Sequence, residues 1–218
     1  MTMSKIPVAI CFLGPPASGK GTMAQRVYDI YSYPCVSPGN IFKSMRSDNS
    51  ELANLVRESC KDGGLCPNWL TNKVVLEESK KLIDGGAEYI TLDGYPRTLE
   101  QLDFLLENYD IKYFLNSSTH YMTMMRMVIN RRNCKVCKSV FSVLNPACYC
   151  ETMPDPSEWE KRWDDTPEFF AKRYQVFKKE TLPVIEAVKS FKNYIKLDLI
   201  KDTRSFDILS KKLSQTAM

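Results

Sequence analysis

"VAICFLGPPASGKGTMAQRVYDIY", Val8 to Tyr31, decides the fold. Val8 to Leu13 is uniformly apolar and is bounded by Pro7 on one side and Gly14-Pro15-Pro16 on the other. So short a run without polar alternation reads as a strand buried on both faces, as in a parallel sheet. Past the glycines, Met23, Val27 and Ile30 recur at helical spacing. Strand and helix are joined by "GPPASGKGT", Gly14 to Thr22. A P-loop asks for Gly, four residues, Gly, Lys and then Ser or Thr; here Gly21 intervenes and Thr22 falls one place late. The physics of the motif is intact. Backbone N–H groups from Ala17 to Thr22, at the positive end of a helix, can cradle phosphate oxygens. Lys20 reaches the outer phosphates as a point charge.

Working outward, strands and helices alternate. "SELANLVRESCK" reads as a helix capped by Ser50, and "PNWLTNKVVLEESKKLI" as a helix with Pro67 at its start and Gly85-Gly86 beyond its end. Tyr89 to Leu92 is a short buried strand, "TLEQLDFLLENY" a helix, "KYFL" a strand and "HYMTMMRMVINRR" an amphipathic helix. Asn133 to about Asp155 has no helical periodicity and is rich in Cys and Pro. A long helix resumes near Thr166, with Pro183 able to kink it, followed by the strand "YIKLDL" and the helix "DTRSFDILSKKL". The expectation is an α/β fold: a three-layer arrangement with a parallel sheet of about five strands, and the Cys-rich strip as a small inserted unit.

The composition excludes several classes. With 218 residues, 44% hydrophobic and 26% charged, the chain is neither disordered nor fibrous. A net charge of +4 suits a small anionic ligand and does not by itself make a nucleic-acid binder. No apolar run approaches the ~18 residues of a membrane span, and the N-terminal apolar stretch runs straight into the glycine motif, unlike a signal peptide. A cytoplasmic monomer is expected. Among eight cysteines, Cys134, Cys137, Cys148 and Cys150 cluster, which in such a chain suggests a metal first. Cys11, Cys35, Cys60 and Cys66 are scattered and read as small buried hydrophobes. The one histidine, His120, opens a helix and reads as a surface residue.

"LDGYPRT", Leu92 to Thr98, ends the second strand. Asp93 would stand at the carboxyl end of a parallel strand, where open α/β sheets bind ligands, and could hold the water shell of Mg²⁺. Arg97 offers a planar fork for a second phosphate. Arg126, Arg131, Arg132, Arg162 and Arg173 lie on or beside the inserted strip, and closing the strip would carry Arg131, Arg162 and Arg173 towards the P-loop. Phosphoryl transfer needs positioning, charge neutralisation and an in-line nucleophile. A phosphate nucleophile is already largely dianionic at pH 7, with a second pKa of about 6, so no general base is required.

Taken together these residues resemble the nucleoside monophosphate kinases, and within them the adenylate kinases. Gly-Lys-Gly-Thr is that family's form of the P-loop. Ser37-Pro38-Gly39-Asn40 is similar to its Ser-Thr-Gly-Asp segment, Asp93 to Thr98 to its Asp-Gly-Phe-Pro-Arg-Thr, and Arg162 to Asp165 to its Arg-x-Asp-Asp. The resemblance runs from Val8 to about Asp198. It implies that Ala17, Ser18, Gly19, Lys20, Gly21 and Thr22 hold the ATP phosphates, and that Arg126, Val140, Phe141 and Lys201 border the ATP base. It places Lys20, Arg97, Arg131, Arg162 and Arg173 on the transferred group, with Arg131 also toward ATP and Arg162 and Arg173 also toward AMP. Pro38, Lys43, Gly64, Leu65, Cys66, Gly94, Tyr95, Pro96, Arg97 and Gln101 would hold AMP, the Gln101 amide reading the adenine edge. The implied partition is a core of 1–36, 69–132 and 166–218, an AMP-binding segment of 37–68 and a lid of 133–165, with gating by the lid as is general for such kinases. The partners implied are ATP, AMP and ADP with Mg²⁺, and neither nucleic acid nor membrane.

The chain departs from the family pattern in two places. Pro38, Asn40 and Lys43 stand where Thr, Asp and Arg are usual, so a hydroxyl and a bidentate fork are lost from the acceptor pocket. In the lid, Cys134-x₂-Cys137 has zinc-knuckle spacing, but Cys148-x-Cys150 is one residue tighter, so Glu151 or Asp155 could replace one thiolate on a structural Zn²⁺. Three other readings are open: a pyrimidine monophosphate kinase, a P-loop protein that binds ATP without transfer, and a zinc-stabilised nucleic-acid module. The arginine set argues against the second. The lack of basic-aromatic patterning along a β-face argues against the third.

Overall fold

A computed structural model describes residues 6–45, 50–61, 63–144, 148, 150–197 and 205–214. In chain order, β1 (Val8–Leu13) leads to α1 (Lys20–Tyr31), β2 (Cys35–Val36), α2 (Pro38–Met45), α3 (Glu51–Cys60) and α4 (Asn68–Asp84). Then come β3 (Ile90–Asp93), α5 (Leu99–Asn108), β4 (Asp110–Ser117) and α6 (Tyr121–Asn130). The inserted strip supplies β5 (Arg131–Cys134), β6 (Val140–Ser142) and β7 (Trp159–Glu160). The chain returns through α7 (Pro167–Val176), α8 (Leu182–Val188), β8 (Tyr194–Leu197) and α9 (Ser205–Ser214).

Five of these strands form one parallel sheet in the order β2-β3-β1-β4-β8. β1 lies at its centre, and Ala9 to Leu13 are each at most 1% exposed, as a strand covered on both faces requires. Alternation along β1 separates two cores. Ala9, Cys11 and Leu13 pack with Val75 of α4, Leu102 and Leu105 of α5 and Val184 and Val188 of α8. Ile10 and Phe12 pack with Met23, Ala24 and Val27 of α1 and Leu209 and Leu213 of α9. Helices therefore cover both faces of the sheet, which is the three-layer α/β architecture the sequence predicts. Helix starts follow the capping residues: Ser50, Thr98 and Thr166 each accept a backbone N–H from three residues on, at 3.2 Å.

Differences from the sequence reading have local causes. The strip is a three-stranded antiparallel sheet, order β6-β5-β7, whose strands are too short for alternation to register. Phe141 meets Trp159 edge-on at 5.2 Å between ring centres and forms its small core. α2 has only Pro38 and Phe42 buried, too few positions to make a period. The long helix is irregular ahead of Pro183: Phe177–Thr181 form a π-helical turn between α7 and α8. Of the scattered cysteines, Cys11 and Cys66 are buried, but Cys35 is exposed and Cys60 half-buried, because Cys35 lies at the edge of the sheet and Cys60 ends α3. His120 is exposed at the start of α6. Among the described residues no helix is long and apolar enough to cross a membrane.

Candidate active site

The P-loop is held open by tight contacts at its first glycine. Gly14 (φ +134°) lies so close to β4 that a Cβ there would come within 2.1 Å of the Ser117 carbonyl oxygen. Ser117 also ties the loop from the side, its hydroxyl 2.7 Å from that of Ser18. Ala17 adopts φ +58°, a left-handed conformation uncommon for a residue with a Cβ. Gly19 precedes α1 with no side chain capping the helix, and Gly21 and Thr22 are exposed. The first N–H groups of α1 have no intrahelical acceptors and no side-chain cap, the arrangement that suits an anion.

Lys20 folds back over this loop, donating to the Gly14 carbonyl (2.9 Å), the Pro15 carbonyl (2.7 Å) and the Ser18 hydroxyl (3.4 Å). Burial pushes its ammonium down to about 8. Asp93 opposes that fall, while Arg97, Arg173 and Arg131 add to it. Asp93 ends β3, and its Oδ2 lies 3.4 Å from where a Cβ on Gly21 would stand. With Gly21, Cys35 and Asn40 it borders a cavity of about 330 Å³. This position at the carboxyl end of a parallel strand is the one the sequence predicts.

Arg97 is fixed at three points. Its N–H donates to Gln101 Oε1 (2.8 Å), its carbonyl accepts from Thr181 Oγ1 (3.0 Å), and its Nε donates to the Gly94 carbonyl (2.7 Å). The outer edge of the guanidinium faces Gly39 of α2, 4.0 Å from an imagined Cβ there. With Lys20, Arg173 and Leu65, Arg97 lines a narrow cavity of about 50 Å³ between the P-loop and the 63–65 loop. Gln101 is 2% exposed, with its Nε2 on Asn68 Oδ1 (2.9 Å) and its Oε1 on Arg97. Its amide is thus engaged inside the protein. In this structure Gln101 therefore also supports the Arg97 backbone.

The lid arginines converge on the same place. Arg131 makes a two-pronged ion pair with Asp165, through Nε to Oδ2 (2.9 Å) and Nη2 to Oδ1. Arg173 meets Asp164 at 3.4 Å, and its methylenes lie against Gly63. Burial and the like charges of Arg97, Arg131 and Arg162 bring Arg173 down to about 10, with Asp164 opposing. Arg162 is lowered by burial and then by Arg131, and its buried Nε has no hydrogen-bond acceptor among the described residues. Cations that depress one another around a small cavity are arranged for a multiply charged anion.

Other expected residues fall differently. Arg126 is exposed, on the side of α6 away from the buried Met124 and Val128, and is not brought into this cluster. Val140 is exposed, whereas Phe141 is turned into the lid core, which leaves only its backbone free to border a ligand. Lys43 is exposed near the end of α2, and Pro38 is buried at its start. Gly64, Cys66, Gly94, Tyr95 and Pro96 form the two turns that flank Arg97, with the Tyr95 hydroxyl bonded to Asn72 at 2.8 Å. Lys201 lies outside the described residues. Sequence reasoning missed Ser117, Thr181, Asp164 and Asp165 as parts of the site; only the acids of "RWDD" carried a signal.

In the lid, the sulfurs of Cys134, Cys137, Cys148 and Cys150 all lie within 4.8 Å of one another, with Cys134 and Cys150 3.8 Å apart. Four thiolates at ~2.3 Å from a tetrahedral zinc would stand about 3.8 Å apart, so the set fits that ion. The tighter Cys-x-Cys spacing therefore does not exclude a thiolate from the group. Asp155 is engaged elsewhere, accepting the Ser157 N–H at 2.9 Å.

Comparison with known proteins agrees with this geometry. The family model described as adenylate kinase matches residues 12–193. The chain is 31% identical over 221 residues to an adenylate kinase of Orientia tsutsugamushi (strain Ikeda), covering 97% of each chain. It is 34% identical to one of Thermosipho melanesiensis, covering 90% of this chain and 94% of that one. It is 32% identical to one of Mycoplasmopsis pulmonis, covering 87% and 90%. With its P-loop, its Asp93 strand end and its ring of arginines in place, the chain belongs to the adenylate kinase family.

Proposed function

We propose that Lys20 and the surrounding arginines carry out the ATP:AMP phosphoryl transfer of this family, Mg·ATP + AMP ⇌ 2 ADP. The observation that carries the reading is the convergence of Lys20, Arg97 and Arg173 on one cavity, with Arg131 in electrostatic reach. The N–H groups at the start of α1 and Lys20 hold the β- and γ-phosphates. Arg97, fixed at its backbone, grips the AMP phosphate, with Lys43 as a second, mobile charge. An oxygen of that phosphate attacks the γ-phosphorus in line. The bond to the β,γ-bridging oxygen breaks, and ADP leaves with that electron pair. Arg131, Arg162 and Arg173 neutralise charge on the transferring group.

Mg²⁺, when bound with ATP, would supply positive charge to stabilise the phosphate oxygens. Asp93 is the carboxylate placed to order its water shell. A structural Zn²⁺ on Cys134, Cys137, Cys148 and Cys150 would tie β5 to the end of the strip and take no part in the chemistry. The 37–68 and 133–165 segments are the acceptor and lid parts around a core of 1–36, 69–132 and 166–218. We propose that the enzyme works as a monomer. We place it in the cytoplasm, with ATP, AMP and ADP as its partners.

The test is stoichiometry. Chromatographic quantification should find two ADP per AMP consumed and no ADP when AMP is omitted. ADP formed at the same rate without AMP would mean hydrolysis, and the reading would fail.

A further inference from the structure

Cys60 and Cys66 are not absorbed by this mechanism as thiols. Cys60 is the last residue of α3, and Cys66 precedes Pro67 at the start of α4. Between them the Gly63 N–H bonds the Cys60 carbonyl at 3.2 Å. The two sulfurs lie 3.3 Å from each other. Closing them to a ~2.05 Å bond needs a shift of only about 1.2 Å. Cys66 is 5% exposed in a small apolar cluster with Phe42, Val56 and Leu70, while Cys60 is more accessible at its edge. The Arg97 guanidinium interacts electrostatically with both, and a neighbouring cation favours the reactive thiolate.

We propose that Cys60 and Cys66 are a modification site, a dithiol that a small-molecule disulfide of the glutathione type converts into an intramolecular disulfide. The Cys60 thiolate attacks one sulfur of the small disulfide, whose S–S bond breaks and releases one thiolate. The Cys66 thiolate then attacks the Cys60 sulfur of the mixed disulfide and expels the second. The two protein thiols are oxidised, the small disulfide is reduced to two thiols, and both protons go to the leaving groups.

The bond would close a ring around the 61–65 stretch. Within that stretch Gly63, which takes φ +78°, packs on Arg173, and Leu65 lines the cavity of Arg97 and Lys20. Locking this turn alters the acceptor side of the site and leaves the P-loop untouched. The functional half of the proposal rests on the acceptor-site reading given above, whereas the bond itself does not.

The experiment equilibrates the full-length protein with oxidised and reduced glutathione at graded ratios, alkylates it, and digests it with trypsin without reduction. Cleavage after Arg57, Lys61 and Lys73 places the cysteines in separate peptides, 58–61 and 62–73. The expected product is these two peptides joined, lost in Cys60→Ser. The KM for AMP should rise severalfold on oxidation with the KM for ATP unchanged, and Cys60→Ser should abolish that response while keeping the lid cysteines. Recovery of Cys60 and Cys66 only as thiols or as separate mixed disulfides overturns the site. A joined peptide with an unmoved KM for AMP overturns its link to the acceptor. Failure of the acceptor reading would instead be seen in the reduced protein, as absence of AMP-dependent ADP formation.

Discussion

Arg131 and Asp165, 34 residues apart, close the two ends of the lid with a two-pronged ion pair in which Asp165 is fully buried. Arg131 opens β5 and Asp165 lies just before α7, so one carboxylate fixes both lid stems and aims a guanidinium at the P-loop. Removing one member of a buried pair leaves the other charge uncompensated, at a cost of roughly 3–5 kcal/mol. Asp165→Asn should therefore lower Tm by on the order of 10 °C in a protein of this size. It should lower kcat as well, since Arg131 loses its orientation. Calorimetry and a coupled ADP assay check both; an unchanged Tm would remove the pair from the account.

Lys20 gives a proton signature. Its folded-state pKa of about 8 lies below the ordinary 10.5, so between those values the folded chain holds fewer protons than the unfolded one. Lys20 thus opposes folding most fully below pH 8, and that opposition is relieved as pH rises through the window. ATP phosphates raise the pKa back. At pH 8, ATP binding should take up about half a proton, measured as a dependence of binding enthalpy on buffer ionisation heat. Lys20→Met should abolish the uptake, and no uptake in the wild type would contradict the electrostatic description of the site.

The lid cysteines should hold one zinc. Elemental analysis of protein purified without chelator is expected to give about one equivalent, all four sulfurs being within reach of one tetrahedral ion. Cys137→Ser should reduce that content and lower Tm while the P-loop still binds ATP. Less than a tenth of an equivalent in the wild type would mean a lid held by packing.

Lys43 is exposed near the end of α2, at a position where the resemblance to the family implies Arg. Lys43→Arg should lower the KM for AMP severalfold with little change in kcat, because a bidentate phosphate contact would be gained equally in ground and transition states. Steady-state kinetics with AMP varied settles it, and an unmoved KM would place Lys43 outside the acceptor pocket.

The readable and unreadable parts of this chain divide by range of interaction. β1, the P-loop and Lys20 were legible because an apolar run, a glycine pattern and a helical period are all local. Asp93 was legible because a strand end fixes where a side chain emerges. The lid strands were not, since segments of two to four residues carry no period. Nor was the support of Arg97 by Thr181, which depends on a π-helical turn 84 residues away. Gln101 was assigned to the acceptor site from the resemblance and from the chemistry of its amide, and neither carries its contacts within the fold. Its contact with Asn68 is set by the packing of α4 against α5, which no single segment encodes.

The most direct test of the central claim is ADP formation by wild type and Lys20→Met with Mg·ATP and, in turn, AMP, CMP, UMP and GMP. In the proposed mechanism Lys20 holds the outer ATP phosphates. Losing its charge should lower kcat by about 10²–10³-fold or more with the fold intact by circular dichroism. AMP should be the preferred acceptor of the wild type. A near wild-type rate for Lys20→Met, or a pyrimidine monophosphate outrunning AMP, would contradict the account.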